Sequence, residues 1–321
     1  MTLATRPYEH GLLDLGNGGY AWLQPDGGWG WSNAGLIVDG DQSLIIDTLF
    51  DKPLTANMLK AMRNSEPKAT AAFDFLVNTH ANADHCNGNE LVAEAEIIAS
   101  QACLDELARE DPNLLQTLME RAPAMGEVGE FFLHCFSDFD FRGINRTLPT
   151  RTFEDEMTLA VGDKTVCLKQ VGPAHTAGDI LAHIPDDKLI FTGDILFIEG
   201  HPIIWEGPIS NWITACDHML ALDLESVVPG HGPVTDQRGV AAMRGYLQYV
   251  ADEARKRFDA GLGVMEAARD IALTDYDSWG DAERIVVNVA TLYKEFANDA
   301  EPNNITALFS LMATLRKERR R

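Results

Sequence analysis

Four short segments, far apart in the chain, each place a histidine or an aspartate directly after an apolar run. They are THANADH (79–85), GPAHTAGD (172–179), FTGD (191–194) and VPGHG (228–232). Each adjoins glycine or proline, which are typical of tight turns that aim a side chain into a cleft. Sites in sheets flanked by helices tend to lie beyond the carboxyl ends of the strands. The chain is therefore expected to bring four strand ends to one edge.

The donor atoms in these segments are imidazole nitrogens and carboxylate oxygens, which suit divalent ions such as zinc, manganese or iron. A single histidine after a strand is usually a hydrogen-bonded residue without a metal, and a Gly-Asp pair is usually a turn. The conjunction of four such segments favours a metal site. Four other histidines lie outside segments of this kind and are interpreted as structural residues: His10, His134, His183 and His218. His201 adjoins the predicted cleft and is a candidate substrate contact.

Apolar runs bounded by turn residues predict two series of strands. The first series spans 18–24, 34–39, 43–47 and 73–79, with a helix predicted at 53–65. The second series spans 157–163, 164–172, 180–186, 188–194 and 226–234, with a helix predicted at 209–223. The pattern indicates two sheet halves that face each other, with helices outside.

The chain is predicted to divide at about residue 235. Residues 1–235 form the catalytic domain, and 100–141 within it form a helical insertion or lid. Residues 236–321 are almost wholly helical in pattern and form a C-terminal extension. Two roles stay open for this extension, a roof over the pocket and a homodimer contact.

The order His-x-x-x-Asp-His, His, Asp, His resembles the metallo-β-lactamase-fold metallohydrolase superfamily over roughly residues 15–235. The resemblance implies an α+β fold, a four-layer αββα sandwich, with a site for two divalent metal ions at one edge of the facing sheets. The helical C-terminal segment is additional to that sandwich.

The resemblance also implies roles for individual residues. The implied metal ligands are His80, Asn82, Asp84, His85, His175, Asp194 and His231. Positions 80, 82 and 175 hold the first ion, positions 84, 85 and 231 hold the second, and Asp194 bridges them. Asp47 matches a buried acid that supports the ligand loop through hydrogen bonds.

Asn82 departs from the family pattern, which usually has histidine at this position. An amide oxygen is a weaker and harder ligand than imidazole, so it lowers zinc affinity or shifts preference toward manganese or iron. The remaining ligands of the first ion suffice for a catalytic site with an open position. We expect two metal ions, zinc in the first instance, with manganese or iron as alternatives.

The mechanism expected of such a site is hydrolytic. Divalent ions bring the pKa of bound water toward neutrality and polarise a carbonyl group. Asp84 is the predicted catalytic residue, because it is placed to orient the water and take its proton. The chain has neither a G-x-S-x-G motif nor a P-loop. Cys86, next to His85, is interpreted as a small packing residue.

The net charge and the cysteine pattern limit the expected binding partners and the expected cellular location. The formal charge is 26 − 49 = −23, which argues against nucleic acid and anionic membranes. The chain has no apolar run long enough for a transmembrane helix and no pattern of a signal peptide near its start. Its five cysteines include no C-x-x-C pair, so a reducing cytoplasm is expected.

Aromatic residues near the predicted cleft favour an apolar or aromatic small-molecule substrate. Trp29 and Trp31 lie in the glycine-rich loop QPDGGWGWSN, and Trp205 follows the predicted bridging aspartate. Packing against the end of the sheet is an equally good interpretation of the two loop tryptophans.

The predicted function is metal-dependent cleavage of an ester, thioester or lactone. The variant motif HxNxDH and its flanking sequences are similar to bacterial hydrolases and aromatic polyketide cyclases. A cyclase that uses the same metals is therefore one alternative. A weakly catalytic metal-binding or sensor protein is the other.

Overall fold

The computed structural model describes residues 2–320 and contains two β-sheets packed face to face. The seven strands of the first sheet, in spatial and chain order, are β1 (Gly11–Gly16), β2 (Gly19–Leu23), β3 (Ala34–Asp39), β4 (Gln42–Ile46), β5 (Phe75–Val77), β6 (Glu96–Ser100) and β7 (Arg151–Phe153). The second sheet comprises β8 (Glu156–Val161), β9 (Lys164–Gln170), β10 (Ile180–Ile184), β11 (Leu189–Phe191) and β12 (Ser226–Val228), in the spatial order β12-β11-β10-β9-β8.

Strand direction places the ends of certain strands at one edge. Strands β1 to β4 form an antiparallel meander, after which β4, β5, β6 and β7 run parallel. In the second sheet, β8 to β11 are antiparallel, and β12 joins β11 in parallel. The ends of β5, β9, β11 and β12 therefore deliver the four segments that follow them to the same side of the sandwich, as the sequence predicts.

The apolar core between the sheets follows the alternation of side chains along each strand. Leu44 and Ile46 of β4 point toward the second sheet, while Ile45 between them points outward. From the opposite sheet, Val166 and Leu168 of β9 enter the same core. A shift of one residue in either strand would turn this apolar set to the wrong face, so the burial pattern fixes the register.

The outer face of the first sheet is covered by helix α1 (Lys52–Ser65). The carboxylate of Asp51 accepts a hydrogen bond from the backbone N–H of Leu54 and caps the start of this helix. Met58, Leu59 and Met62 form its buried stripe against Ile45 and its neighbours. The predicted helix at 53–65 is confirmed to within one residue.

The outer face of the second sheet is covered by α6 (Ile209–Leu220) and α7 (Gln237–Asp259). Three further helices follow in the extension, α8 (Val264–Asp270), α9 (Ile285–Ala297) and α10 (Ile305–Arg319). Trp212 of α6 and Leu308 of α10 belong to one continuous cluster of buried apolar residues. The four layers and the helical C-terminal segment are therefore confirmed, and the extension shares its core with the sandwich.

The segment between β6 and β7 holds three short helices, α3 (Gln101–Arg109), α4 (Leu114–Arg121) and α5 (Gly126–Phe136). The sequence pattern did not predict β1, β6 and β7. The strand β1 is an edge strand with a mostly solvated face, β6 follows a glutamate-rich stretch, and β7 has three residues. Their pairing partners, and not their own periodicity, hold them in strand conformation.

None of the helices found within residues 2–320 combines the length and hydropathy needed to cross a bilayer.

Candidate metal centre

One carboxylate lies at the centre of four buried imidazoles. Oδ1 of Asp194 is 3.1 Å from Nε2 of His85. Its Oδ2 is 3.2 Å from Nε2 of His175, 3.5 Å from that of His231 and 3.7 Å from that of His80. A carboxylate that reaches four imidazole nitrogens has the placement of a ligand shared between two cations.

Asp84 extends this cluster toward solvent. Its Oδ2 is 3.3 Å from Nε2 of His231 and 3.8 Å from Nε2 of His85, and its side chain is 14% exposed. Among the described residues, two groups of three have ligand atoms within 4.8 Å of one another. They are His80, His85 and Asp194, and Asp84, His85 and His231. The two groups share His85, whereas the resemblance implies that His85 serves the second ion alone.

All four imidazoles present the same ring nitrogen to the cluster, because the other nitrogen is engaged elsewhere. The partners of Nδ1 are Thr79 Oγ1 at 3.0 Å for His80, Asp47 Oδ2 at 2.9 Å for His85, Ile203 O at 2.7 Å for His175, and Gly27 O at 3.1 Å for His231. A hydrogen bond at one nitrogen fixes the tautomer and leaves the lone pair of the other for a metal.

Several of these inward atoms lack a hydrogen-bond partner within residues 2–320. They are Nε2 of His80, Nε2 of His85 and Oδ1 of Asp194. A buried polar atom left unsatisfied costs about 1–3 kcal/mol, so atoms of this kind normally have a partner that protein atoms do not supply. Imidazole and carboxylate donors that converge without hydrogen bonds fit a divalent metal ion.

The charges in the site favour a bound cation. Burial alone would lower the pKa of His85, but Asp194, Asp84 and Asp47 outweigh it and hold that pKa well above its usual value. Burial likewise opposes protonation of His231, yet Asp194 and Asp84 raise its pKa to about 9. The carboxylates thus favour positive charge at this position, and a bound metal ion would supply that charge in place of protons.

The remaining two imidazoles are already in the form that metals bind. Burial lowers the pKa of His80 well below its usual value, and burial also lowers the pKa of His175. Both rings are therefore neutral near pH 7. Asp194 has its pKa held well below the usual range, because the surrounding imidazoles outweigh the effect of burial.

Asp47 positions the first ligand segment. It ends β4 with a left-handed backbone conformation (φ 60°). Its Oδ1 accepts from the backbone N–H of Thr79 at 2.7 Å, and its Oδ2 accepts from the Thr79 hydroxyl at 2.7 Å and from His85 Nδ1 at 2.9 Å. One carboxylate thereby links the strand β4 to both ends of the ligand segment, which closes into the single-turn helix α2 (Ala83–Cys86).

Asn82 faces the ligands of the first ion. Its Oδ1 is 2.6 Å from Nε2 of His175. Because the neutral His175 ring donates from Nδ1 to Ile203, its Nε2 carries a lone pair that faces both Asn82 and Asp194. A lone pair that faces two acceptor oxygens at these distances is repelled by both unless a cation lies between them. Asn82 thus lies within reach of the same position as His175 and Asp194.

Two residues that were not predicted from the sequence hold the other ligand turns. Asp179 accepts from the backbone N–H of Thr176 at 2.9 Å and from its hydroxyl at 2.7 Å, which closes the turn after His175. Burial raises the pKa of Asp179 to about 8. The signal for it was present, because Asp179 ends the segment GPAHTAGD. Asn33, far away in sequence, donates to Pro229 O at 3.0 Å and to Gly232 O at 2.8 Å, and it left no local signal.

Gly230, which precedes His231, is required by a close approach. A Cβ at this position would collide with Oδ1 of Asp194. The glycine therefore allows the turn of His231 to lie directly against the central carboxylate.

A cavity of about 410 Å³ opens over the cluster. Asn82, Asp84, His175, Asp194 and His231 contribute to its floor. Six tryptophan and phenylalanine residues line it, and four of them are called the aromatic wall below: Trp29, Phe136, Trp205 and Phe309. Charged residues also line it: Glu106, Glu110, Asp111, Arg146, Glu206 and Arg284.

Two residues expected near the substrate do not line this cavity. Trp31 packs against Phe139 with ring centroids 4.7 Å apart. His201 is fully buried, with Nδ1 3.0 Å from the hydroxyl of Tyr246 in α7, and burial lowers its pKa to about 3. The extension covers His201, and this packing was not visible in the sequence around it.

Comparison with known proteins identifies relatives of this chain. Residues 27–231 match the family model described as the metallo-beta-lactamase superfamily. An acyl-coenzyme A thioesterase, MBLAC2 of Bos taurus, is 27% identical over 216 residues, which cover 62% of this chain and 72% of that protein. A hydroxyacylglutathione hydrolase of Brucella ovis is 28% identical over 193 residues, which cover 59% of this chain and 58% of that protein.

Solved structures share the fold. The sec-alkylsulfatase Pisa1 from Pseudomonas sp. matches with a TM-score of 0.67 at 14% identity, covering 92% of this chain and 52% of that one. This chain thus spans about half the length of the sulfatase. A metallo-beta-lactamase from Pontibacter korlensis matches with a TM-score of 0.56 at 17% identity, covering 75% of this chain and 99% of that one. At these identities the likeness concerns the fold alone.

Proposed function

This chain belongs to the metallo-beta-lactamase superfamily, and on that premise we propose that it is a metal-dependent hydrolase of thioesters. The observation that carries the proposal is the position of Asp194 among four imidazoles, at the floor of an open cavity. The preference for thioesters is supported by two relatives, an acyl-coenzyme A thioesterase and a hydroxyacylglutathione hydrolase.

We assign two divalent ions to the cluster. His80, Asn82 and His175 would hold the first ion, Asp84, His85 and His231 would hold the second, and Asp194 would be shared between them. Zinc is the proposed metal, and the amide at position 82 leaves room for manganese or iron at the first position.

The chemistry divides between the ions and the protein. When bound, divalent ions lower the pKa of water and polarise a carbonyl group. The neighbouring imidazoles His85 and His231 lower the pKa of Asp84, so its carboxylate is ionised and can accept a proton at Oδ2. Because Asp84 also lines the cavity, it is the proposed catalytic base. The Nδ1 contacts of the imidazoles hold the donor atoms in place throughout.

Thiol release tests this proposal. Purified protein is incubated with butyryl and hexanoyl thioesters of N-acetylcysteamine, and the free thiol is detected with a chromogenic disulfide. We expect hydrolysis that is lost after chelation and restored by added zinc, manganese or iron. Absence of thiol release with every metal and both substrates contradicts the proposal.

A second candidate is cyclisation of an aromatic polyketide at the same site. The aromatic wall favours it, because stacked rings suit a planar substrate. A cyclase forms a ring within a β-keto thioester. It does not release the thiol from a simple acyl thioester. Mass spectrometry of the products from a β-keto thioester and from a simple acyl thioester therefore distinguishes the two activities.

A further inference from the structure

The C-terminal extension builds one side of the cavity, to which it contributes Arg284, Ile305 and Phe309. The ring of Phe309 in α10 lies 5.6 Å from Trp29, 6.3 Å from Phe136 and 6.4 Å from Trp205, measured between centroids. The rings of Phe309 and Trp205 are stacked, with an interplanar angle of 11°. Phe309 is therefore the member of the aromatic wall that touches the other three.

The extension also fixes the position of Trp205. Asn288 of α9 accepts from the N–H of Ile204 at 2.9 Å and donates to Pro202 O at 3.0 Å. Thr291, one turn later, donates to Ile204 O at 2.7 Å. These bonds satisfy the backbone just before Trp205, so α9 holds this side of the wall in place.

Trp29, on the other side of the cavity, is held by the extension as well. The guanidinium of Arg284 lies 4.3 Å from the ring of Trp29, within the range of a cation–π contact. The same side chain donates to the backbone oxygen of His201 at 2.9 Å and pairs with Asp281 at 2.9 Å. Arg284 thus ties the tryptophan loop to the start of α9.

Exposed apolar side chains mark the entrance. Three large apolar side chains within residues 2–320 are notably exposed, and two of them, Leu114 (50%) and Ile305 (47%), line this cavity. Leu114 begins α4 of the insertion, and Ile305 begins α10 of the extension. Exposed apolar side chains in the lining of a cavity are typical of a site for an apolar ligand.

The metal cluster and the aromatic wall are adjacent. The ring of Phe197 stacks on that of His231 with centroids 5.1 Å apart, and the guanidinium of Arg284 lies 5.4 Å from Phe197. A substrate whose carbonyl group lies at the metal cluster thus has an apolar region directly beside it. A cavity of about 410 Å³ is within the usual range of small-molecule sites.

We propose that the C-terminal extension forms one side of an acyl-binding pocket, with Phe309 as the aromatic residue that limits the length of the acyl chain. The preferred substrate is then a thioester with an unbranched apolar acyl group. This proposal rests on the proposed thioesterase function.

A series of acyl thioesters tests the pocket. The specificity constant kcat/KM is measured for acetyl, butyryl, hexanoyl, octanoyl and decanoyl N-acetylcysteamine. Burying one methylene group contributes about 0.8 kcal/mol, equivalent to roughly a fourfold gain in kcat/KM per methylene. We expect such a rise in the wild type up to a maximum, followed by a fall. In Phe309→Ala the maximum moves to a longer chain.

Phe296→Ala is the matched control. Phe296 belongs to the same extension and packs on Phe258, with ring centroids 5.6 Å apart, outside the cavity lining. It loses a ring of the same size, so it reports any general loosening of the extension. We expect its chain-length profile to match that of the wild type. An identical maximum in wild type and Phe309→Ala, or the same shift in Phe296→Ala, overturns the proposal.

Ligand binding separates this proposal from the proposed function. Unbranched fatty acids are titrated while tryptophan fluorescence is recorded, with Trp205→Phe to assign the signal. We expect saturable binding that strengthens with chain length and extends to longer chains in Phe309→Ala. Such binding without hydrolysis of any thioester refutes the proposed function and leaves the pocket supported. Hydrolysis with neither fatty-acid binding nor dependence on chain length refutes the pocket alone.

Discussion

The metal-binding edge and the aromatic wall face each other across one cavity and are built differently. Each ligand segment at the edge follows a strand, and each imidazole in it is fixed by a hydrogen bond at Nδ1, as His85 is by Asp47. The wall draws Trp29, Phe136, Trp205 and Phe309 from four distant elements and holds them by ring packing. The edge determines which chemistry is available, whereas the wall determines which molecules reach it.

The largest effect is expected from removing a ligand that both metal groups share. His85→Ala deletes the imidazole that contacts both Asp194 and Asp84, and each of these buried carboxylates thereby loses one of its imidazole partners. We expect thioester hydrolysis to fall by more than the roughly 100-fold typical of residues that merely support a ligand. Bound metal should fall as well.

His218→Ala is the control for that loss. His218 lies on α6, outside the lining of the cavity. Metal content and hydrolysis should stay within the error of the wild type. Equal activity in His85→Ala and the wild type would show that the metal-binding edge takes no part in hydrolysis.

Asp47→Asn tests the hydrogen bonds through which Asp47 positions Thr79 and His85. The amide keeps an oxygen for Thr79 and loses the charge that orients His85. Loss of such a supporting contact typically reduces metal affinity or activity about 10–100-fold, and we expect an effect in this range. Asp39→Asn, at the end of β3, is the matched control, since its carboxylate accepts from the backbone of Asp163 far from the cavity. The same loss in both variants would indicate a general effect on folding.

Asn82→His tests the departure from the family pattern. An imidazole at this position adds a softer donor beside His175, so the fold should be intact and the zinc content per chain should rise. Elemental analysis of both proteins, expressed in the same medium, measures the change. Unchanged metal identity and stoichiometry would show that Asn82 does not determine metal preference.

The lining of the cavity carries several carboxyl groups, and these favour a substrate whose thiol portion is uncharged. Glu106, Glu110, Asp111 and Glu206 line the cavity in a chain with a net charge of −23. Salt screens repulsion between exposed charges. We expect kcat/KM for an acyl-coenzyme A to rise a few-fold with salt, while the value for the matching N-acetylcysteamine thioester stays constant. A fall with salt for the coenzyme A ester would indicate attraction and contradict this expectation.

The smallest expected effect is on the free energy of unfolding and its dependence on pH, and it concerns Glu106 in the cavity lining. Burial raises the pKa of Glu106 from 4.5 to about 7, Glu206 and Glu110 add to the rise, and N–H groups of Ala177 and Gly178 oppose it. Between these two pKa values the folded protein keeps a proton that the unfolded chain loses. Stability therefore falls as pH rises through this window, and the cost is complete above it.

Glu106→Gln removes this cost and keeps an oxygen acceptor for Ala177. Because the side chain is partly exposed, we expect a gain of only about 1 kcal/mol in the free energy of unfolding near pH 8, with little gain near pH 5. Thermal unfolding at both pH values measures it. An equal gain at the two values would assign the effect to something other than ionisation.

The same contrast explains how much the sequence could predict. The ligand segments were recognisable because glycine and proline adjoin them, and the two sheets, α1 and α6 followed from periodicity within short windows. The role of Asn33 at the turn of His231 and the burial of His201 under α7 depend on contacts across more than forty positions. The strands β6 and β7 exist because their neighbours pair with them, so no window of their own sequence contained the signal.

Native mass spectrometry with elemental analysis of the purified wild-type protein tests the central claim most directly. We expect two divalent ions per chain, one of which is lost more readily than the other. We also expect thiol release from acyl thioesters to rise and fall with the metal content. Fewer than one bound metal per chain, together with no hydrolysis after addition of zinc, manganese or iron, would contradict it.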